Sequence, residues 1–347
     1  MKVFAKRSIS AMLAVVMLFL MTACGDNSNK DDANKASKKD TKIVVDQTGR
    51  KVKIPKNVKS VAYAYRVATT FLISLGVGDR VVAANTGLMF YTDVCPTLED
   101  AGSIGRGDID LESLAKYKPD VVIHKSADKK TIEAVEKMGI PVIGIAPESM
   151  DGILETIKIL GEVFDKQDRA NELIKYYNDK ISFAQNLVKD IPENERKTAI
   201  AMGSELGRVA GGDMLQSYLI ETAGGKSCAK DVKNNQSWVT VGTEQIFKWN
   251  PDFIFCTSPS SAEYTIDQIM KDTAWKGLDA VKNKRVLTVP SNMDSWEFPG
   301  MSSMLGMLWM LSQMYPDKYS QQDFLKEVDA FYQTVYGKTF DREYLGY

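Results

Sequence analysis

From Lys42 onward, short runs of apolar residues alternate with longer stretches in which apolar positions recur every three or four residues. That rhythm predicts parallel sheets covered by helices. In the first half, strands are expected at VKSVAY (58–63), RVVAAN (80–85), VVIH (121–124) and VIGIA (142–146). Helices fall between them, among them VATTFLISLG and DKKTIEAVEKMG, each closed by a glycine suited to a helix C-terminus. The second half repeats the plan with strands at TAIAMG (198–203), DFIFCTS (252–258) and RVLTVP (285–290), and helices at DMLQSYLIETAGG and EYTIDQIMKDTAW.

One unit is present twice. LESLAKYKPDVVI (111–123) and TEQIFKWNPDFIF (243–255) each place a glutamate, Glu112 or Glu244, seven residues before a Pro-Asp pair that leads into an apolar run. Pro119 and Pro251 should end their helices, because the residue before a proline is pushed out of the α region. Between the halves, apolar residues keep helical spacing from Ile153 to Leu187, with a turn expected near Asp165–Asp168. The second piece, about 20 residues and roughly 30 Å long, is enough to bridge two small domains and is stiffer than a loop.

The N-terminus reads differently. Lys2, Lys6 and Arg7 precede the apolar run ISAMLAVVMLFLMTA, which is short for a bilayer span and ends in small residues before Cys24, as in an export signal. The next stretch, GDNSNKDDANKASKKD, is polar and without aromatics, a flexible tether. The expected organisation is a signal peptide over 1–23, a tether over 24–42, an N-terminal α/β lobe over 43–150, a connecting helical segment over 151–190 and a C-terminal α/β lobe with terminal helices over 191–347. Forty-four Lys and Arg against 45 Asp and Glu leave a net charge of −1, without the basic excess that a nucleic-acid binder needs. Beyond Cys24, only Cys95, Cys228 and Cys256 remain, so at most one disulfide can form among them. Cys256 follows DFIF and reads as a small buried hydrophobe.

Four stretches together resemble the substrate-binding proteins of ABC importers for iron-siderophores, cobalamin and haem: DQTGRKVKIPKNVKSV, LGVGDRVVA, the paired Glu and Pro-Asp units, and VKNKRVLTVP followed by LGMLWMLSQMYPDKY. The resemblance covers nearly all of 43–320. It implies two Rossmann-like lobes with mainly parallel sheets, joined by one long α-helix, with a ligand cleft between them. The ending MTAC resembles a bacterial lipoprotein signal, although Met21 stands where leucine is usual; the alternative is a secreted protein cleaved elsewhere. A lipidated Cys24 would carry two acyl chains, enough for stable anchoring at the extracytoplasmic face of the cell membrane. The family implies a monomer that serves a permease dimer with its ATPase, and in its cobalamin and ferric-hydroxamate members one glutamate per lobe meets permease arginines. Glu112 and Glu244 match those positions. Read alone, either glutamate would simply favour its helix N-terminus.

Ligands of open α/β sheets collect beyond the carboxyl ends of the strands. The candidates are therefore Tyr63, Tyr65, Arg66, Arg106 and His124 in the first lobe, and Arg208, Trp238 and Trp296 in the second. Guanidinium groups suit carboxylate, phosphate or catecholate oxygens, and aromatic faces suit a macrocycle or chelate rim. An anionic iron chelate is the expected cargo, with cobalamin, haem or an oxyanion such as molybdate as alternatives. His124, the sole histidine, could serve haem iron as an axial ligand or be a hydrogen-bonding loop residue. Thr70 stands where many relatives carry glutamate, which weakens the transfer of their ligand contacts.

Met301, Met304, Met307, Met310 and Met314 recur at helical spacing, a core-facing stripe before a copper site. The single histidine excludes a multi-histidine zinc site, GMSSM lacks the last glycine of a nucleophile elbow, and GSIGRG is not a dinucleotide fingerprint, so neither an enzyme nor a resident cofactor or metal is expected. A tethered receptor without a transporter is the remaining rival.

Overall fold

The structure, a computed structural model, describes residues 40–85, 89–233, 237–257, 262–290, 295–343 and 345. The expected signal peptide, the lipidation site Cys24 and nearly all of the tether lie outside the described residues. The chain begins with an antiparallel hairpin, β1 (Thr41–Val45) and β2 (Lys51–Pro55). A five-stranded, wholly parallel sheet follows, built from β3 (Val61–Ala62), β4 (Val81–Ala84), β5 (Gly102–Ser103), β6 (Val121–Lys125) and β7 (Val142–Ile145) in the order β5-β4-β3-β6-β7. Its helices are α1 (Ala68–Ser74), α2 (Met89–Val94), α3 (Leu111–Tyr117) and α4 (Lys129–Lys137).

Two helices then link the lobes, α5 (Met150–Phe164) and the 22-residue α6 (Gln167–Val188). The turn between them is made at Asp165, whose φ of 57° is left-handed. The second lobe holds β8 (Thr198–Met202), β9 (Arg208–Ala210), β10 (Lys226–Ser227), β11 (Trp238–Thr240), β12 (Phe253–Cys256) and β13 (Val286–Thr288), with α7 (Leu215–Thr222), α8 (Thr243–Trp249), α9 (Ile266–Lys271), α10 (Asp279–Lys282), α11 (Ser303–Met314) and α12 (Gln321–Tyr336). Its main strand order is β11-β9-β8-β12-β13, with β10 also on β8. β8, β10, β12 and β13 run parallel, while β9 runs against both β8 and β11. The hairpin and this antiparallel ribbon are the main additions to the parallel pattern that periodicity gives.

Both sheets are covered on both faces, which is why their strands are continuous apolar runs. Val61, Val121 and Ile123 face inward, and Ala62 and Val122 face outward, as the two-residue pleat requires. In the second sheet Ala199, Phe253 and Phe255 face inward, and Ile200, Ile254 and Cys256 outward. The inward faces of both sheets merge with α5, α6 and α11 into one cluster, so the lobes share a core. All five methionines of the α11 stripe belong to it. Tyr177 of α6 donates from its hydroxyl to the carbonyl of Met301, and the Gly300 carbonyl lies 3.4 Å away. Arg169 of α6 donates to the carbonyl of Ser74 at the end of α1 and to those of Thr334 and Val335 near the end of α12.

The duplicated units fold alike. α3 and α8 each have seven residues, and each ends at a left-handed residue before the proline, Lys118 (φ 43°) and Asn250 (φ 41°). The pre-proline residue leaves the α region as expected, but into the left-handed well, because there its N–H still reaches the carbonyl of Leu114 or Ile246. The following aspartates are joints. Asp120 accepts from the N–H groups of Lys59 and Ser60, and Asp252 accepts from the N–H and hydroxyl of Thr198. Each ties the entry of one strand to its neighbour.

The DQTGR stretch has a structural task. Asp46, almost fully buried, accepts hydrogen bonds from Thr48, from the Arg50 N–H and guanidinium, and from the Gly144 N–H on β7. Gln47 accepts from Ala146 N–H at 2.5 Å and donates to Gly152 O at 2.9 Å, which fixes the hairpin to the start of α5. Burial alone would push the Asp46 carboxyl up; the hydrogen bonds from Thr48, Arg50 and Gly144 outweigh it and hold the pKa below the ordinary 3.8. A folded pKa below the unfolded one adds stability above the unfolded value that is lost as pH falls through the folded one. Asp46→Asn should therefore be less stable than the parent at neutral pH, by about 2–4 kcal/mol. Urea unfolding across pH should show that difference shrinking below about pH 4.

Candidate functional site

The carboxyl ends of the two sheets face a cavity of about 420 Å3 between the lobes. The first lobe contributes Tyr65 and Val67 after β3, Lys125 at the end of β6, and Glu148 after β7. The second contributes Arg208 and Trp238 from the antiparallel ribbon, the start of α7 with Gln216, and the Phe298-Pro299 turn. In the ribbon, Arg208 pairs with Thr240 and Trp238 with Ala210. Arg208 and Trp238 are therefore diagonal neighbours on one face, which sets a cation beside an aromatic ring.

Contacts within the cavity fix these side chains. Tyr65 donates from its hydroxyl to Glu148 Oε1 at 3.1 Å. Burial first, and then the Glu148 carboxylate, push the phenol far above its ordinary range, so it stays a donor. Arg208 reaches Glu205 at 3.2 Å and Ser204 Oγ at 3.4 Å, a light tether for an exposed guanidinium. Trp238 lies flat against Gly203, where an added Cβ would stand 2.9 Å from its ring, so only glycine allows this approach. Gln216 is held by donation to the Glu297 carbonyl at 2.9 Å.

Of the eight ligand candidates read from sequence, the structure brings Tyr65, Arg208 and Trp238 into this cavity. Arg66 is exposed beside it, its guanidinium 5.4 Å from the centre of the Phe298 ring, a cation–π contact between the lobes. The others require correction. Tyr63 is 0% exposed within the shared core. Trp296 is 1% exposed, donates to Tyr332 Oη at 3.1 Å and packs edge-on against Phe324, so it serves the core. Arg106 is exposed on the loop before α3 and does not line the cavity. His124 is 1% exposed because strand alternation turns it to the same side as Val122, under α4. There it meets Asp128, the N-cap of α4, with Nε2 3.0 Å from Oδ2.

Lys125, Glu148, Gln216 and Phe298 were missed by sequence reading. Two of them carried a signal. Lys125 is simply the next and last residue of β6, exposed where His124 is buried, and Glu148 follows β7 as Tyr65 follows β3.

Glu112 and Glu244 are both exposed, each at the second position of its helix. Their helices occupy equivalent crossovers: α3 runs from edge strand β5 over β4 and β3 to β6, and α8 from edge strand β11 over β9 and β8 to β12. A crossover helix runs against its strands, so both glutamates stand at the carboxyl ends, the side of the cavity. Cys95, Cys228 and Cys256 are free thiols. Burial pushes Cys228 up to about 11 and Cys256 up to about 12, away from thiolate reactivity.

A family model described as periplasmic binding protein matches residues 61–293. The chain is 23% identical over 327 residues to the molybdate-binding protein MolA of Haemophilus influenzae, covering 86% of this chain and 92% of that protein. The structure of MolA bound to molybdate superposes with a TM-score of 0.76 over 86% of this chain and 99% of the other. YvrC of Bacillus subtilis, an uncharacterized ABC transporter substrate-binding lipoprotein, is 24% identical over 319 residues, 89% of this chain and 96% of the relative. The iron(3+)-hydroxamate-binding protein YxeB of the same organism is 22% identical over 287 residues, 79% of this chain and 86% of the relative.

The His124–Asp128 contact is testable as a structural pair. Asp128→Ala removes the helix cap and the partner of His124 and should lower unfolding free energy by about 1–2 kcal/mol. Hydrogen bonds from Thr131 and then from His124 hold the Asp128 carboxyl down at about 2, so this contribution is present above the ordinary 3.8 and fades as pH falls towards 2. Chemical unfolding at pH 7 and pH 3 should show the loss in full at the first and diminished at the second.

Proposed function

This chain belongs to the periplasmic binding protein family, and on that premise we propose that it is the lipid-anchored capture component of an ABC importer whose cargo is an iron complex, a ferric siderophore or similar chelate. One observation carries the cargo assignment. Two cationic side chains from opposite lobes, Lys125 and Arg208, share a cavity with the aromatic faces of Tyr65, Trp238 and Phe298. Cations recognise carboxylate, hydroxamate or catecholate oxygens, and the rings cover the apolar rim of a chelate. The volume of about 420 Å3 is within the range of pockets for organic ligands, about 300–1,000 Å3, and a bare tetrahedral oxyanion would fill a small part of it. The likeness to an iron(3+)-hydroxamate-binding protein supports the same reading.

Molybdate is the second reading, favoured by the likeness to MolA. A haem reading through His124 loses its support, since that side chain is buried against Asp128. Lipidation at Cys24 rests on the MTAC motif and on the likeness to a lipoprotein over 89% of the chain.

For delivery, Glu112 and Glu244 are the docking charges. They are exposed, they repeat at equivalent crossovers, and they stand on the cavity side of the two lobes. Two like charges on a pseudo-repeated surface suit two cations on a permease dimer, and set both orientation and register. The family's solute-binding role means that chemistry on the cargo is not required of this chain; it captures, orients and hands over.

Thermal unfolding of the purified protein should respond to a ferric chelate. At a hundred times the dissociation constant the ligand adds about 2.7 kcal/mol, a shift of several degrees in Tm. A shift with molybdate alone would replace the iron reading. Arg208→Glu should weaken chelate binding by about ten-fold or more, while the Tm without ligand stays within about a degree. In cells, Glu112→Arg with Glu244→Arg should abolish uptake with chelate affinity unchanged; full uptake by that double variant would refute docking through these residues.

A further inference from the structure

The iron-chelate reading leaves one feature of the cavity unexplained: a carboxylate among the cations. Glu148 follows the carboxyl end of β7 and precedes Ser149, the N-cap of α5. It lines the cavity together with Lys125 and Arg208. Its Oε1 accepts the Tyr65 hydroxyl at 3.1 Å. No described lysine, arginine or histidine forms an ion pair with it, although 15 such pairs are formed elsewhere among the described residues. Lys125 shares the cavity but pairs with no described carboxylate, and Arg208 is turned to Glu205.

A purely anionic cargo would bring like charge towards this carboxylate, at a cost that grows as water leaves the cavity. The hydrogen bond from Tyr65 orients the Glu148 carboxylate without neutralising it. Its second oxygen is an acceptor with no protein donor among the described residues.

Resting on the iron-chelate reading, we propose that Glu148, positioned by Tyr65, is a specificity-determining residue that selects chelates carrying a cationic or N–H donor arm, so that the preferred cargo bears mixed charge. The metal-binding oxygens of the cargo lie towards Lys125 and Arg208, and its amine arm towards Glu148. The cavity discriminates through a charge-assisted hydrogen bond that an otherwise identical cargo without the arm cannot make.

The test uses matched probes: ferrioxamine B, which has a free terminal amine, against its N-acetyl derivative, and a ferric tris-catecholate with a free amine arm against its acetylated form. Dissociation constants are measured by calorimetry on the full protein and on Glu148→Gln. Glutamine keeps the acceptor for Tyr65 and removes the charge, so the fold and the ring position are preserved; an unchanged Tm without ligand verifies this. The expected result is that at least one amine-bearing chelate binds about ten-fold tighter than its acetylated partner, and that Glu148→Gln brings the two to within about two-fold. Equal binding of both members of every pair that binds overturns the role of Glu148 and leaves the iron-chelate reading standing. A preference that persists in Glu148→Gln also overturns it. No binding of any of the four ferric chelates overturns the iron reading, and this inference with it.

Discussion

The buried hydroxyl of Tyr177 on α6 donates to the chain at Met301, and around that bond the two lobes are joined. A polar group so deep must find a partner, and here the partner is backbone of the second lobe. Around it runs a core that both lobes share, from Phe71 and Ile157 through Leu173 to Leu305 and Phe255. Arg169, about two turns earlier on the same helix, holds the carbonyl ends of α1 and α12. The lobes are thus parts of one packed body, and separating them would expose apolar surface and strip hydrogen bonds at once. The cavity is held open as much as it is held together.

The repeated Glu and Pro-Asp unit combines two tasks in thirteen residues. Its aspartate is architectural, tying Asp120 to Ser60 in one lobe and Asp252 to Thr198 in the other. Its glutamate is exposed and free of that task. The duplication therefore has a structural reason even without a partner: each lobe needs a crossover helix that stops sharply and a joint that starts the next strand. The same geometry delivers one carboxylate per lobe to the side where the cavity opens.

Much of this was legible in the sequence. The parallel cores, the turn at Asp165, the buried methionine stripe and the paired units follow from periodicity and proline chemistry. The hairpin formed by β1 and β2 and the ribbon formed by β9 and β11 are not legible, because pieces of three to five residues with mixed polarity carry little period-two signal. Site residues were only partly legible for a related reason. The rule that ligands lie past strand ends finds Tyr65 and Arg208, but a strand end known to within one residue cannot tell His124 from Lys125, and that one residue is the difference between core and cavity. Tyr63 and Trp296 are aromatic residues near the right loops that turn inward to the core.

The ribbon that carries Arg208 and Trp238 lies at the margin of its sheet, and β11 is an edge strand with a single neighbour. Arg208 and the exposed Thr240 stand apart from the joints and the parallel strands, whereas Ala210 and Trp238 of the same ribbon pack on the shared core. The charged lining of the cavity is thereby set partly apart from the side chains that hold the fold. Changes at the exposed positions of this ribbon would alter the cavity lining without touching α3 or α8, the helices that carry Glu112 and Glu244. The broad range of solutes named among its relatives is the kind of diversification such a division of labour permits.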